Sequence, residues 1–227
     1  MRFTYYGHSC FLVETKGTKL LFDPFISGNE LANQVIDVNS IQADYILVSH
    51  GHADHTADLV SIAGRTGAKV ICAFEIFEWL AKQNITHVHP MNTGGKWDLG
   101  PFSVKCVTAH HSSGLPDGSY GGNPMGFIVY TPEKTFYYSG DTALTLDMQL
   151  IPRWATLDFA ILPIGDNFTM GLEDAVESAG MIKCGNIIGV HYDTFGYIKL
   201  DHAAAKKVFT DAGCNLQLLK IGETIDC

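Results

Sequence analysis

Residues Ser49-His50-Gly51-His52-Ala53-Asp54-His55 set three histidines and an aspartate within six positions of one another. Imidazole nitrogen and carboxylate oxygen are the donors that suit zinc, manganese, iron and nickel. Donors alternating along a loop can face a cation from two sides. The plain alternative is a histidine-rich surface loop that binds nothing. Against it stand further residues of the same chemistry at wide intervals: His110, His111, Asp141 and His191. A dication held by such a set lowers the pKa of water from about 15.7 to near 7 and polarises a substrate oxygen, so the chemistry in view is hydrolysis.

These residues recur at the ends of apolar runs, which points to the elements that carry them. The run Tyr45-Ile46-Leu47-Val48 reads as a buried strand, and the histidine loop follows it directly. Open α/β sheets bind ligands outside the carboxyl ends of their strands. Residues 2–6, 10–15 and 19–22 read as earlier strands, the last closed by Asp23-Pro24-Phe25. Proline ends the ladder there and moves Asp23 out of the α region. Residues 56–64 read as a helix capped by Thr56 or Asp54, 69–73 as a strand, and 74–83 as a helix with Phe74, Phe77 and Leu80 on one face. Strands are expected at 94–99, 102–108, 126–130, 134–138, 157–162, 186–190 and 216–221, with helices at 172–183 and 201–212. Strand after strand ends in a cation-binding residue: Asp23, His50, His111, Asp141, Asp166 and His191. Helices alternating with strands cover a sheet. Two sheets packed together with helices outside is the expected architecture, in a single domain, 1–227.

Bulk properties narrow the partners. The chain has 227 residues and a formal net charge of −9, which argues against a broad nucleic-acid or anionic-membrane footprint. No apolar run approaches the ~18 residues of a membrane span, and the amino terminus has no signal-peptide pattern. The six cysteines are scattered without a CxxC pair and read as mostly buried free thiols of a cytoplasmic protein. The apolar content is compatible with a homo-oligomer but locates no interface.

His50-x-His52-x-Asp54-His55 followed by His111, Asp141 and His191 resembles the metallo-β-lactamase superfamily, in motif order over nearly the whole chain. Gly7-His8-Ser9, Asp23-Pro24-Phe25, Gly140-Asp141-Thr142, the stretch from Pro163 to Gly171 and His191-Tyr192 resemble more closely the UPF0173 group of metal-dependent hydrolases. The resemblance implies an α+β fold, an αββα sandwich of two mixed β-sheets flanked by helices, with the site at one edge. It implies that His50, His52 and His111 hold a first metal, that Asp54, His55 and His191 hold a second, and that Asp141 bridges them. His110 and His111 would face opposite ways on a strand. The family pattern of an aromatic before the histidine favours His111 as the ligand.

The function expected is a hydrolase with two divalent ions, zinc by default, sharing a bridging hydroxide. The substrate would be a small-molecule ester, lactone, amide or phosphodiester. Asp54 would orient the hydroxide. His8 is either a site-lining proton donor or substrate contact, or a structural histidine. Asp23 is a candidate to hold a ligand imidazole from behind, or a turn residue. Asp166 and Asn167 either line the cleft or make a turn. Phe168 and Met170 read as packing residues, and His87, His89 and His202 as surface or structural ones. The loops 26–39 and 114–124 are expected to shape the pocket. Phosphodiester or nucleic-acid cleavage and a non-catalytic metal-dependent binding module are the competing readings. Low basic content disfavours the first and a complete ligand set the second. A β-lactamase activity follows from the superfamily name alone.

Overall fold

A computed structural model describes the whole chain, Met1–Cys227. In chain order the elements are β1 (Arg2–Gly7), β2 (Cys10–Thr15), β3 (Thr18–Phe22), β4 (Tyr45–Leu47), α1 (Ala53–Thr56), α2 (Leu59–Thr66), β5 (Lys69–Ala73), α3 (Phe74–Lys82), β6 (Val88–Met91) and β7 (Lys96–Asp98). There follow β8 (Ser103–Thr108), β9 (Met125–Tyr130), β10 (Thr135–Tyr138), α4 (Ile151–Trp154), β11 (Phe159–Pro163), α5 (Leu172–Met181), β12 (Asn186–Val190), α6 (His202–Asp211), β13 (Asn215–Gln217) and β14 (Thr224–Asp226). They build two seven-stranded sheets, ordered β14-β1-β2-β3-β4-β5-β6 and β13-β12-β11-β10-β9-β8-β7. Both are mixed, as expected. β3 to β6 run parallel, as do β10 to β13, and the remaining pairs are antiparallel.

Side-chain alternation explains the layers. In β10, Phe136 and Tyr138 join the core between the sheets, while Tyr137 joins the core under the outer helices. β11 repeats the pattern: Phe159 and Ile161 point inward, Ala160 and Leu162 outward. A strand buried on both faces reads as a continuous apolar run, as these do. The outer layers are amphipathic helices. α2 buries Leu59, Ile62 and Ala63 and ends at Gly67, whose φ of 71° gives the left-handed cap. α6 starts at Asp201, whose side chain accepts from the Ala203 and Ala204 amides. No helix is long and apolar enough to cross a membrane.

Several local expectations need correction. The helix foreseen at 56–64 is split into α1 and α2, and neither Thr56 nor Asp54 caps it. Asp58 sits at the break, where its Oδ2 accepts from the Ile26 and Ser27 amides and pins the loop after β3. On α3 the buried residues are Ile76, Trp79 and Leu80, while Phe74 is exposed. The closing strand is not 216–221 but two short strands, β13 and β14, on different sheets. β6 escaped notice because Pro90 argues against a strand; it lies at a sheet edge, where proline is tolerated.

The topology delivers the site. β1, β3 and β4 run in one direction, since β2 is antiparallel to both its neighbours and β3 is parallel to β4. β8, β10, β11 and β12 share a direction by the same reasoning. The loops after all these strands therefore gather at one edge of the sandwich. Two backbone hydrogen bonds join the sheets there: His191 N donates to His8 O at 2.9 Å, and Met125 N donates to Ser49 O at 3.0 Å.

Candidate metal centre and its cavity

Seven side chains from both sheets converge at this edge. Asp141, after β10, is the hub. Its Oδ2 lies 2.9 Å from His191 Nε2, 3.2 Å from His55 Nε2, 3.7 Å from His111 Nε2 and 3.9 Å from His50 Nε2. His50, His52 and His111 form one compact donor group, and Asp54, His55 and His191 another, the latter with His8 beside it. His50 Nε2 and His52 Nδ1 are 3.0 Å apart, and His52 Nε2 turns away to Ser112 Oγ at 3.2 Å. Gly140 makes the approach of Asp141 feasible. Its φ is +61°, and a Cβ there would sit 2.8 Å from Ser49 Cβ.

The pattern behind the donors tests whether a cation fits. Asp23 is buried and accepts four hydrogen bonds: from Ser49 N at 2.7 Å, Ser49 Oγ at 2.6 Å, Tyr138 OH at 2.5 Å and His55 Nδ1 at 2.9 Å. His55 thus keeps Nδ1–H on Asp23 and points Nε2 at the centre, where loss of the Nε2 proton would free a lone pair for a cation. Ser49 Oγ, having donated to Asp23, accepts from His50 Nδ1 at 2.9 Å, which fixes the same tautomer on His50. A carboxylate that holds a histidine from behind, leaving the other nitrogen free, is the arrangement found behind metal ligands. Asp141 Oδ1 and His191 Nδ1 are buried without a hydrogen-bond partner. Lone pairs converging in a buried space around carboxylates suit a cation, and the donor set fits a divalent one.

Charge follows the same geometry. Burial acts to raise the Asp141 carboxyl, but the facing His191 and His55 rings outweigh it and hold the group well below its usual range. Burial likewise acts to lower His55, and the Asp141 and Asp23 carboxylates outweigh it. Asp23 has φ +40°, a costly conformation for a non-glycine residue, and its four hydrogen bonds hold it there. Asp23→Asn keeps the shape but replaces an acceptor oxygen with a donor. We expect it to weaken metal retention by about 10–100-fold, read by competition with a chromogenic chelator. Retention equal to that of the wild type would reduce Asp23 to a turn residue.

The other expected residues fall as follows. His111 stands in the cluster, whereas His110 is exposed. His8 is buried and does not line the cavity. Its Nε2 lies 3.0 Å from Asp54 Oδ2 and its Nδ1 3.0 Å from Thr194 Oγ1. Burial, with His191 alongside, pushes the ring down to about 4, so it is neutral near pH 7. The network then assigns Nε2–H as donor to Asp54. Asp166 and Asn167 take left-handed turn conformations and stay outside the cavity lining. Met170 is fully buried, as expected of a packing residue. Phe168 is not a packing residue: it is 49% exposed and lines the cavity.

That cavity, of about 1000 Å³, opens over the centre. Loop 26–39 contributes Gly28 and Glu30, but loop 114–124 contributes nothing. Its place is taken by Phe168 and by Thr194, Phe195, Gly196 and Tyr197 after β12. The sequence carried no expectation for Thr194, Phe195, Gly196, Tyr197, Ser112 or Tyr138, nor for the supporting role of Ser49. Only the serine inside the histidine motif carried a local signal.

Two sheets packed face to face, with histidines and aspartates gathered at one edge, are the architecture of a metallo-β-lactamase fold. Comparison with known proteins agrees. The family model described as the beta-lactamase superfamily domain matches residues 18–192. A protein of Christiangramia forsetii described as a UPF0173 metal-dependent hydrolase is 50% identical over 226 residues, spanning 100% of both chains. One of Methylacidiphilum infernorum with the same description is 48% identical over 225 residues, 99% of each. Among solved structures, Igni18, a metallo hydrolase of the archaeon Ignicoccus hospitalis, aligns with a TM-score of 0.89 at 31% identity, over 99% of this chain and 97% of that one. The chain belongs to the UPF0173 family of the metallo-β-lactamase superfamily.

Proposed function

We propose that this protein is a metal-dependent hydrolase with a dinuclear centre, acting on a small-molecule substrate. The observation that carries the reading is the division of the donors into two groups around one shared carboxylate oxygen, Asp141 Oδ2. His50, His52 and His111 would hold one ion, Asp54, His55 and His191 the other, and Asp141 would bridge them. When bound, two divalent ions (zinc first, with manganese, iron or nickel suited to the same donors) supply Lewis acidity and a water-derived nucleophile at neutral pH.

The chain's own residues do the rest. Asp23 and Ser49 fix the ring orientations of His55 and His50. His8 positions Asp54 by holding Oδ2. Asp54 reaches the cavity wall, where its carboxylate orients the nucleophile and can accept a proton. In the net reaction the water oxygen joins the carbonyl carbon or phosphorus, the bond to the leaving group breaks, and the proton passes to that group.

The test is the metal content per chain of protein purified without chelating resin or added metal, paired with turnover on ester, lactone, amide and phosphodiester substrates. Close to two equivalents and chelator-sensitive turnover are expected. A chain that stays metal-free after reconstitution with zinc, manganese and iron overturns the dinuclear reading.

A further inference from the structure

The cavity wall carries a second message, about the part of the substrate remote from the scissile bond. Four aromatic residues border the cavity: Phe25, Phe168, Phe195 and Tyr197. Phe168 and Tyr197 stand 6.2 Å apart, edge to face, with Tyr197 80% exposed. Phe195 packs 6.5 Å from Phe25. Phe25 is buried, but Phe168, Phe195 and Tyr197 stand exposed, and large apolar side chains left in water around a cavity mark a binding surface rather than a core. They come from three separate loops, so the clustering is not imposed by one element.

The lining is as telling in its charges. Its 16 residues include Glu30, Asp54 and Asp141 but no lysine or arginine. Lys199, two residues beyond Tyr197, spends its ammonium group on Asp193 O at 2.7 Å. No lysine or arginine of the wall is therefore available to neutralise a carboxylate or phosphate carried outside the metal centre. Such a group would lose hydration without gaining an opposite charge and would face Glu30. Resting on the hydrolase reading above, we propose that the substrate is an uncharged ester or amide whose flank beyond the reacting carbonyl is apolar, preferentially aromatic. Substrates with a second anionic group, such as nucleic acid or a carboxylate-bearing lactam, are selected against.

The test uses two amide probes, N-benzylacetamide and its 4-carboxylate, 4-(acetamidomethyl)benzoate, with binding read on a timescale short against any turnover. Binding is followed by saturation-transfer NMR on the metal-loaded wild type and on Phe168→Ala and Tyr197→Ala. N-benzylacetamide should bind at least about tenfold more tightly than the carboxylate, and each variant should weaken it several-fold. Turnover of 4-nitrophenyl phenylacetate should exceed that of 4-nitrophenyl hemisuccinate, which has the same leaving group but a remote charge, by roughly a hundredfold in kcat/KM. Equal or tighter binding of the carboxylate overturns the proposal, as does no detectable binding of N-benzylacetamide. Variants that alter only self-association in size-exclusion chromatography also overturn it, because the aromatics would then cover a contact between copies. Metal content of the same samples separates the two readings. A two-metal protein without the preference sinks only the substrate class, and a metal-free protein with the preference sinks only the dinuclear hydrolase.

Discussion

Asp141→Asn is expected to hold one metal equivalent or fewer per chain where the dinuclear reading gives the wild type two, and to lose about a hundredfold or more in turnover. The size follows from geometry. One oxygen, Asp141 Oδ2, lies within 3.9 Å of four imidazole nitrogens contributed by both donor groups. Asparagine has the same shape, so packing survives, but it removes the only negative charge common to both groups. Several kcal/mol of charge stabilisation are at stake, and about 2.7 kcal/mol already equals a hundredfold in rate. Elemental analysis reads the stoichiometry, circular dichroism verifies that the fold is kept, and steady-state kinetics on the best ester substrate reads the rate. Two retained equivalents with unchanged turnover would remove Asp141 from the bridging role.

His111→Ala and His110→Ala form the second test, a matched pair of neighbours with opposite outcomes. His111 Nε2 faces Asp141, and its ring stands 5.1 Å from those of His50 and His52. Losing it opens the first donor group, and we expect metal retention and turnover to fall by about a hundredfold or more, beyond the 10–100-fold usual for residues that only support a ligand. His110 is exposed, and it is its backbone that does structural service: N accepts nothing but donates to Thr142 Oγ1 at 2.9 Å, and O accepts from Ala143 N at 3.1 Å. Alanine preserves both bonds, so His110→Ala should stay within a few tenths of a kcal/mol in stability and close to wild type in metal content. The reverse pattern would make His110 the ligand.

The pair also illustrates what a sequence can carry. Donors at strand ends were legible because β4 and β12 are apolar runs that stop at His50 and His191, and a run that stops at a polar residue marks a layer edge. The two sheets were legible from the alternation of strands and helices. β14 was not, because three residues, Thr224 to Asp226, have no period of their own and are strand only through pairing with Arg2, Phe3 and Thr4. The role of Asp23 was half legible: the turn could be read from Pro24, whereas its bonds to His55 and Tyr138 span 32 and 115 residues. Phe168 was misjudged for a similar reason. An aromatic residue is apolar in any sequence, and only the path of the 164–171 loop decides whether it faces a core or a cavity.

The stitching of the sheets by His8, Ser49, Met125 and His191 bears on how the protein comes into being. A growing chain emerges amino terminus first, at about 5–20 residues per second. His50, His52, Asp54 and His55 are therefore in solution well before Asp141 and His191 exist. During that interval the early loop is a partial chelator, able to capture a cation but without the carboxylate and imidazole that complete its shell. Firm metal retention belongs to the finished molecule, and truncated or half-made chains should exchange their metal freely. If the proposed ligands hold, maturation of the enzyme is in this sense a checkpoint on complete synthesis: His191, the last of the proposed ligands to be made, closes the trap that the first ones opened.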